Sequence, residues 1–279
     1  MVVKKRFKVL LERNRWFKSV PNALTLCNSI CGFGAILYTL GVLSSPKGVT
    51  DVFAISAWII LFAMIFDALD GFAARIFNAA SMKGLQMDSL ADMVTFGVAP
   101  AIIVAIMART LEYMQNWQYL IVCALAAVYL GCAALRLATY NVHAMLEKKS
   151  GDKFAGLPSP GGAAAICSIV IFSNTDMAKN LGIFDYIAFI LPAYAAFLGL
   201  LMISSTPYTH VGKWLFSIKR NKKRLVVFLL FFLFVCMFDI AALVVLINLY
   251  VISGPLLSVL KKLKIIPSDN RNNYKSQAI

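Results

Sequence analysis

Apolar residues in this chain come in long unbroken runs, and polar residues gather in short clusters between them. Runs at 22–43, 52–75, 91–110, 117–138, 160–175 and 185–204 show no dominant amphipathic stripe. Their length and composition predict membrane-spanning helices, since a hydrocarbon core of about 30 Å takes about 20 apolar residues to cross. The last apolar stretch, 225–253, carries Asp239 near its middle. A carboxylate there costs about 2.5–3.5 kcal/mol on insertion scales. Two short tilted spans turning near Asp239 avoid that cost and return the basic tail to the side it left, which predicts eight spans. Residues 2–18 alternate basic and apolar and end in Trp16 and Phe17, the pattern of an amphipathic helix lying in the membrane interface. The expected fold is an all-α polytopic transmembrane helix bundle. An interfacial helix occupies 1–19, the membrane core 20–204, and a basic loop, hydrophobic hairpin and basic tail 205–279.

Composition agrees. Of 279 residues, 60% are hydrophobic and only 14% charged, against roughly a quarter charged in a soluble domain. The net charge of +14 sits in the clusters KKRFK, EKK, KRNKKR and KKLK between or beside apolar runs. That distribution suits cytoplasmic loops and anionic lipid headgroups and argues against a nucleic-acid partner. The positive-inside rule then puts the N-terminus and the loops near 76–90, 139–159 and 205–224 in the cytoplasm. The basic start has the look of a signal peptide. However, the apolar run that follows is too long and lacks an A-x-A site, so it is expected to remain as the first membrane helix. Six cysteines, all within apolar segments and none in a CxxC pair, imply neither disulfides nor zinc. The only histidines, His143 and His210, fall in predicted loops.

One stretch breaks the apolar pattern. DALDGFAARIFNAASMKGLQMDSLAD, Asp67 to Asp92, holds four aspartates directly after the uncharged run VFAISAWIILFAMIF. Asp67 and Asp70 are three apart and Asp88 and Asp92 four apart, so each pair shares a helical face. The link between them can turn the chain back, giving a helical hairpin with two carboxylates on each arm. Left in lipid, four carboxylates would cost on the order of 10 kcal/mol, and Arg75 with Lys83 cannot neutralise them all. A cation site at the cytoplasmic end of the bundle explains the grouping better than solvated loop residues do. All-oxygen ligation points to Mg²⁺ or Mn²⁺, and this many carboxylates suits two ions. Gly71 and Gly84 fit a place where a phosphate or nucleotide meets backbone, so chemistry on a diphosphate at the membrane surface is expected.

The pattern Asp67-x2-Asp70-Gly71-x2-Ala74-Arg75-x8-Gly84-x3-Asp88-x3-Asp92 resembles the signature of the CDP-alcohol phosphatidyltransferases. The resemblance implies a six-helix membrane core, a homodimer, and attack of an alcohol on the phosphatidyl phosphorus of CDP-diacylglycerol with release of CMP. It further implies that Asp67, Asp70 and Asp88 hold metal, while Asp92 completes the site and serves as general base. Gly71, Ala74, Arg75 and Gly84 would surround the cytidine nucleotide. The setting would be the cytoplasmic (inner) membrane of a prokaryote, with the site facing the cytoplasm.

Three further stretches bear on the acceptor alcohol. VPNALTLCNSICGFGAI from Val20, RLATYN from Arg136 and FAGLPSPGGAA from Phe154 are similar to segments of integral-membrane phosphatidylserine synthases, which implies L-serine as acceptor. Glycerol 3-phosphate, inositol phosphate and choline are the alternatives within the family, and a divalent-cation transporter is the alternative outside it. A serine carboxylate needs a cation, and Arg136 is the candidate for a bidentate contact. Asn22, Thr25 and Asn28 share one face of the first helix at i, i+3 and i+6. Asn22 and Thr25 are candidates for the CDP moiety, with bonds between helices the other reading of all three. Pro158 and Pro160 break the chain before the fifth span. Asp239 is expected as a turn residue.

Overall fold

In the computed structural model, residues 15–44, 48–77, 81–146, 156–206, 208 and 239–262 are described, and no strand occurs among them. Helix α1 is Arg15–Leu40, extended by a 3₁₀ turn over Gly41–Leu43. Helix α2 is Val49–Ile76 and α3 is Met82–Asp92. A π-helical turn, Met93–Val98, joins α3 directly to α4, Ala99–Arg109. The chain continues through α5 (Asn116–Leu146), α6 (Ser159–Ser173), the short α7 (Asp176–Asn180), α8 (Phe184–Ile203) and α9 (Asp239–Lys262).

The helices are arranged as a membrane requires. Large apolar side chains point outward, such as Leu26, Ile30 and Phe33 on α1 and Trp58, Phe62 and Ile65 on α2. Small residues such as Ala35, Ala57 and Ala63 are buried between helices. Lipid tails are as apolar as leucine, so helix association relies on close backbone approach at small residues. Among the described residues, six segments are long and apolar enough to cross: Ser19–Leu43, Val49–Ala74, Met82–Arg109, Asn116–His143, Phe184–Ile203 and Ala242–Leu260. The fifth predicted span, α6, is different. It has only 15 residues, about 22 Å of helix. It is apolar all round and packs against α2, α8 and α9, the position such a helix demands.

Several predicted boundaries move. The expected loop over 76–90 is much shorter, because Ser81 caps a helix that starts at Met82 and runs through Asp92 into the membrane. The Ser81 hydroxyl accepts the backbone N–H of Gly84 at 3.0 Å, satisfying one of the unpaired N–H groups at the helix start. The loop expected from 139 begins later, since α5 continues to Leu146 and carries His143 on its exposed face instead of in a loop. At the other end, the described part of α9 runs from Asp239 past Ser253 to Lys262. The first arm of the expected hairpin, most of the interfacial helix, Cys236 and His210 lie outside the described residues. Arg15 to Ser19 continue straight into α1.

Helix length sets where the aspartates stand. Asp67 is 18 residues along from Val49, about 27 Å at 1.5 Å per residue. Asp88 is 21 residues back from Arg109, about 32 Å by the same ruler. Both arms therefore bring their carboxylates to the same edge of a hydrocarbon core of about 30 Å.

Candidate active site

The two arms meet as carboxylate against carboxylate. Asp67, Asp70 and Asp88 each offer an oxygen, and these atoms all lie within 4.8 Å of one another. Asp92, only 9% exposed, stands against Asp67 from the opposite arm. Like charges this close need compensation. Some comes from α1: the Thr25 hydroxyl lies 2.8 Å from Asp70 Oδ2, and the Asn28 amide donates to Asp92 Oδ1 at 3.2 Å. Asp88 Oδ1 is fully buried without a hydrogen-bond partner among the described residues. A lone carboxylate oxygen facing two further carboxylates fits a hard divalent cation and little else. The donor set therefore suits Mg²⁺ or Mn²⁺.

Local packing fixes this geometry. A Cβ on Gly32 would lie 2.8 Å from the Thr95 Cα, so α1 crosses the π-helical turn at backbone distance. The Thr95 hydroxyl, one turn past Asp92, donates to the Asn28 carbonyl at 2.9 Å. The π turn breaks the regular i→i−4 ladder, and the buried Tyr129 hydroxyl donates to the Phe96 carbonyl at 2.7 Å. Behind Asp88, Ser89 bonds Asn141 Oδ1 at 2.9 Å and so ties α3 to the end of the RLATYN segment on α5. The four carboxylates are thus held from α1, α2, α3 and α5 together.

A pocket opens beside the cage. Asn22 and Thr25 of α1, Gly71 and Ala74 of α2 and Gly84 of α3 line it together with Asp70 and Asp88. A Cβ on Gly84 would stand 3.1 Å from Ser81 Oγ and 3.6 Å from Asn22 Oδ1. A larger residue there would crowd the pocket mouth. Every sequence-predicted nucleotide residue gathers here except Arg75, whose side chain lies outside the described residues. Thr25 lines the pocket and also makes the interhelical bond that was its other reading, its hydroxyl being directed at Asp70.

Arg136 stands on α5, 20 residues along from Asn116, about 30 Å of helix and hence level with the cage. Its guanidinium is half-buried, within the electrostatic field of Asp92, Tyr140 and Tyr250. Its Nη1 donates a long bond, 3.4 Å, to the Met202 carbonyl. Among the described residues it forms no ion pair. The segment from Gly156 folds over the same region. Gly156 N–H donates to the Thr206 carbonyl at 2.8 Å and Leu157 N–H to the Leu201 carbonyl at 3.0 Å. Gly156 has φ of 94°, and a Cβ there would meet the Ser204 carbonyl at 3.0 Å, so both its conformation and its space call for glycine. Pro158 caps α6 in extended conformation and Pro160 lies in the first turn, as their sequence positions predict.

Sequence reasoning missed two features. Asn28 makes the helix-to-helix bond read for it, but that its partner is Asp92 of the cage was not readable. The signal was its place three residues beyond Thr25 on the polar face. The Ser89–Asn141 bond had no signal beyond the asparagine that ends RLATYN.

Comparison with known proteins agrees with this geometry. A CDP-diacylglycerol–serine O-phosphatidyltransferase of Helicobacter pylori strain J99 is 30% identical over 252 residues, covering 90% of this chain and 96% of that protein. The enzyme of the same name from Bacillus subtilis strain 168 is 31% identical over 195 residues, 70% of this chain and 92% of that one. An archaetidylserine synthase of Methanothermobacter thermautotrophicus is 33% identical over 197 residues, covering 70% and 71% respectively. Residues 18–201 match the family described as CDP-alcohol phosphatidyltransferase. With the aspartate cage and its pocket inside that match, the chain belongs to the CDP-alcohol phosphatidyltransferase family.

Proposed function

We propose that this chain transfers the phosphatidyl group of CDP-diacylglycerol to the hydroxyl of L-serine at the cytoplasmic face of the membrane, releasing CMP. One observation carries the reading: a cage of four carboxylates, a glycine-lined pocket and a guanidinium that forms no ion pair among the described residues lie together at one end of the bundle. The three relatives described above all bear serine in their names, the archaeal one with a different lipid, which supports serine over glycerol 3-phosphate, inositol phosphate or choline. A phosphorylated acceptor would also call for more cationic side chains than Arg136 among the described residues near the cage.

Asp67, Asp70 and Asp88 would hold the divalent ion, with Asp92 completing the set. Bound there, the ion supplies positive charge that neutralises the diphosphate and improves CMP as a leaving group. The remaining steps belong to the chain's own side chains. Gly71, Ala74 and Gly84 let the nucleotide lie close to backbone, and Asn22 presents its amide to it. Arg136 receives the serine carboxylate as a two-pronged donor and so orients the hydroxyl toward Asp92. Asp92 takes the hydroxyl proton as the serine oxygen bonds to the phosphatidyl phosphorus. The bond from that phosphorus to the CMP oxygen breaks, and its electron pair leaves with CMP. Asn28 holds Asp92 in orientation throughout.

The test is CMP release from CDP-diacylglycerol by the purified protein with Mg²⁺ or Mn²⁺, offering each alcohol in turn. Serine-dependent CMP is the expected result. CMP with a different alcohol alone would refute the acceptor, and none with any alcohol would refute the reaction. The transporter reading predicts acids along the membrane depth. Beyond the cage, the interior instead continues as Phe96, Ala99, Ile103 and Met107, all fully buried and apolar.

A further inference from the structure

The match to the family ends at residue 201, yet the chain goes on to bring more side chains to Arg136. Tyr208, only 8% exposed, follows the turn after α8. Its hydroxyl donates to the Val251 carbonyl at 2.8 Å. Its ring lies so tightly on Gly254 that no Cβ could fit there. This fastens α9 to the end of α8, whose Met202 carbonyl is the acceptor for Arg136. Tyr250 projects from α9 into the resulting corner. Its ring centroid is 5.6 Å from that of Tyr208, and its Cε1 would be 3.5 Å from a Cβ on Gly161, within the GLPSPGG segment. Arg136 and Tyr250 lie in each other's electrostatic field. Stretches far apart in sequence therefore meet in this corner: Tyr250 of α9 packs beside GLPSPGG and lies in the field of Arg136 of RLATYN, whose hydrogen bond the end of α8 accepts.

From this convergence we infer that α9 completes the acceptor subsite and that Tyr250 is a specificity-determining residue within it, its phenol sharing with Arg136 the binding of the acceptor's carboxylate. The inference rests on the reading of Arg136 as the acceptor's cation. A carboxylate offers about four lone-pair positions, and a guanidinium fork fills two. A phenol O–H directed at the same carboxylate would supply a further donor without adding charge next to Asp92. Tyr208 contributes by holding the helix that presents the ring.

The experiment is steady-state CMP release by the purified full chain carrying Tyr250→Phe. This variant keeps the ring packed on Tyr208 and Gly161 and removes only the hydroxyl. CDP-diacylglycerol and L-serine are each varied with the other saturating, and serinol, which lacks the carboxylate, is the comparison acceptor. Loss of one hydrogen bond to a charged group should raise the serine KM about 10- to 150-fold. The CDP-diacylglycerol KM should be unchanged and the preference for serine over serinol should shrink. Tyr208→Phe is the structural control: it should lower thermal stability without narrowing that preference. An unchanged serine KM in Tyr250→Phe, or equal rises in both KM values, overturns the inference. Should wild-type protein use a different alcohol, the serine assignment fails separately. The same KM split, measured with that alcohol, then decides whether Tyr250 lines the subsite.

Discussion

Asn28 offers the sharpest test of how the cage works, because stability and activity should respond to it differently. Its side chain is fully buried, with Nδ2 donating to Asp92 at 3.2 Å and Oδ1 without a partner among the described residues. Asn28→Leu removes both atoms at similar volume. Losing the donor leaves a buried carboxylate short of a bond, at about 1–3 kcal/mol. Losing the unpartnered oxygen removes a buried, unsatisfied acceptor worth a similar amount. The two nearly cancel, so thermal unfolding should stay close to that of the parent protein. Catalysis has no such compensation. A hydrogen bond to a charged group contributes about 1.5–3 kcal/mol, and if it orients Asp92 during proton transfer, kcat should fall about 10- to 150-fold at tenfold per 1.36 kcal/mol. Asn28 lies outside the nucleotide pocket lining, so the CDP-diacylglycerol KM should hold. The assay is CMP release alongside a thermal melt of the same preparation. A kcat within about twofold of wild type would refute the orienting role, and a collapsed melt would show that Asn28 serves the fold instead.

Other outcomes follow from the same geometry. Removing divalent ions with a chelator should abolish CMP release, and adding Mg²⁺ or Mn²⁺ back should restore it. Asp88→Asn should weaken Mn²⁺ binding by at least about tenfold, followed by electron paramagnetic resonance of the free ion, since Asp88 carries the buried oxygen that lacks a partner. Gly84→Val pushes a branched side chain toward Ser81 and Asn22 and should raise the CDP-diacylglycerol KM while sparing the serine KM. Gly32→Ala must force α1 away from the Thr95 backbone. It should cost about 1–3 kcal/mol as an overpacked contact, read as a lowered melting temperature together with lost activity.

Much of this was legible in the sequence because membranes simplify the problem. Uninterrupted apolar runs leave few options but helices, and four carboxylates against that background stand out at once. Asp67, Asp70, Asp88 and Asp92 come together as their i, i+3 and i, i+4 spacing implies. Boundaries were harder to read, since hydropathy marks where lipid ends and not where a helix ends. The helix start at Met82 depends on the Ser81 cap, and α5 persists to Leu146 through residues in which polar side chains interrupt the apolar run. The π turn was not legible at all. It is stabilised by the Tyr129 hydroxyl 33 residues away and by the crossing at Gly32, both tertiary facts. The packing of Tyr208 on α9 and the approach of Tyr250 to Arg136 were hidden for the same reason.

The first helix shows why these long-range contacts matter to the site. Gly32, Asn28, Thr25 and Asn22 follow one another up a single face, spaced four, three and three residues apart. They span about 15 Å of helix, from the bundle interior to the pocket mouth. The deepest position has no chemistry of its own and only permits contact with the π turn. That contact sets the height and rotation of the helix, which in turn bring Asn28 to Asp92 and Thr25 to Asp70. These two carboxylates belong to different arms of the aspartate hairpin. Registering α1 against the π turn therefore also fixes one arm relative to the other, and with it the spacing of the cage. A hairpin alone could bring four aspartates near each other. Holding them against their mutual repulsion takes a third helix with donors at the right heights, and α1 supplies it.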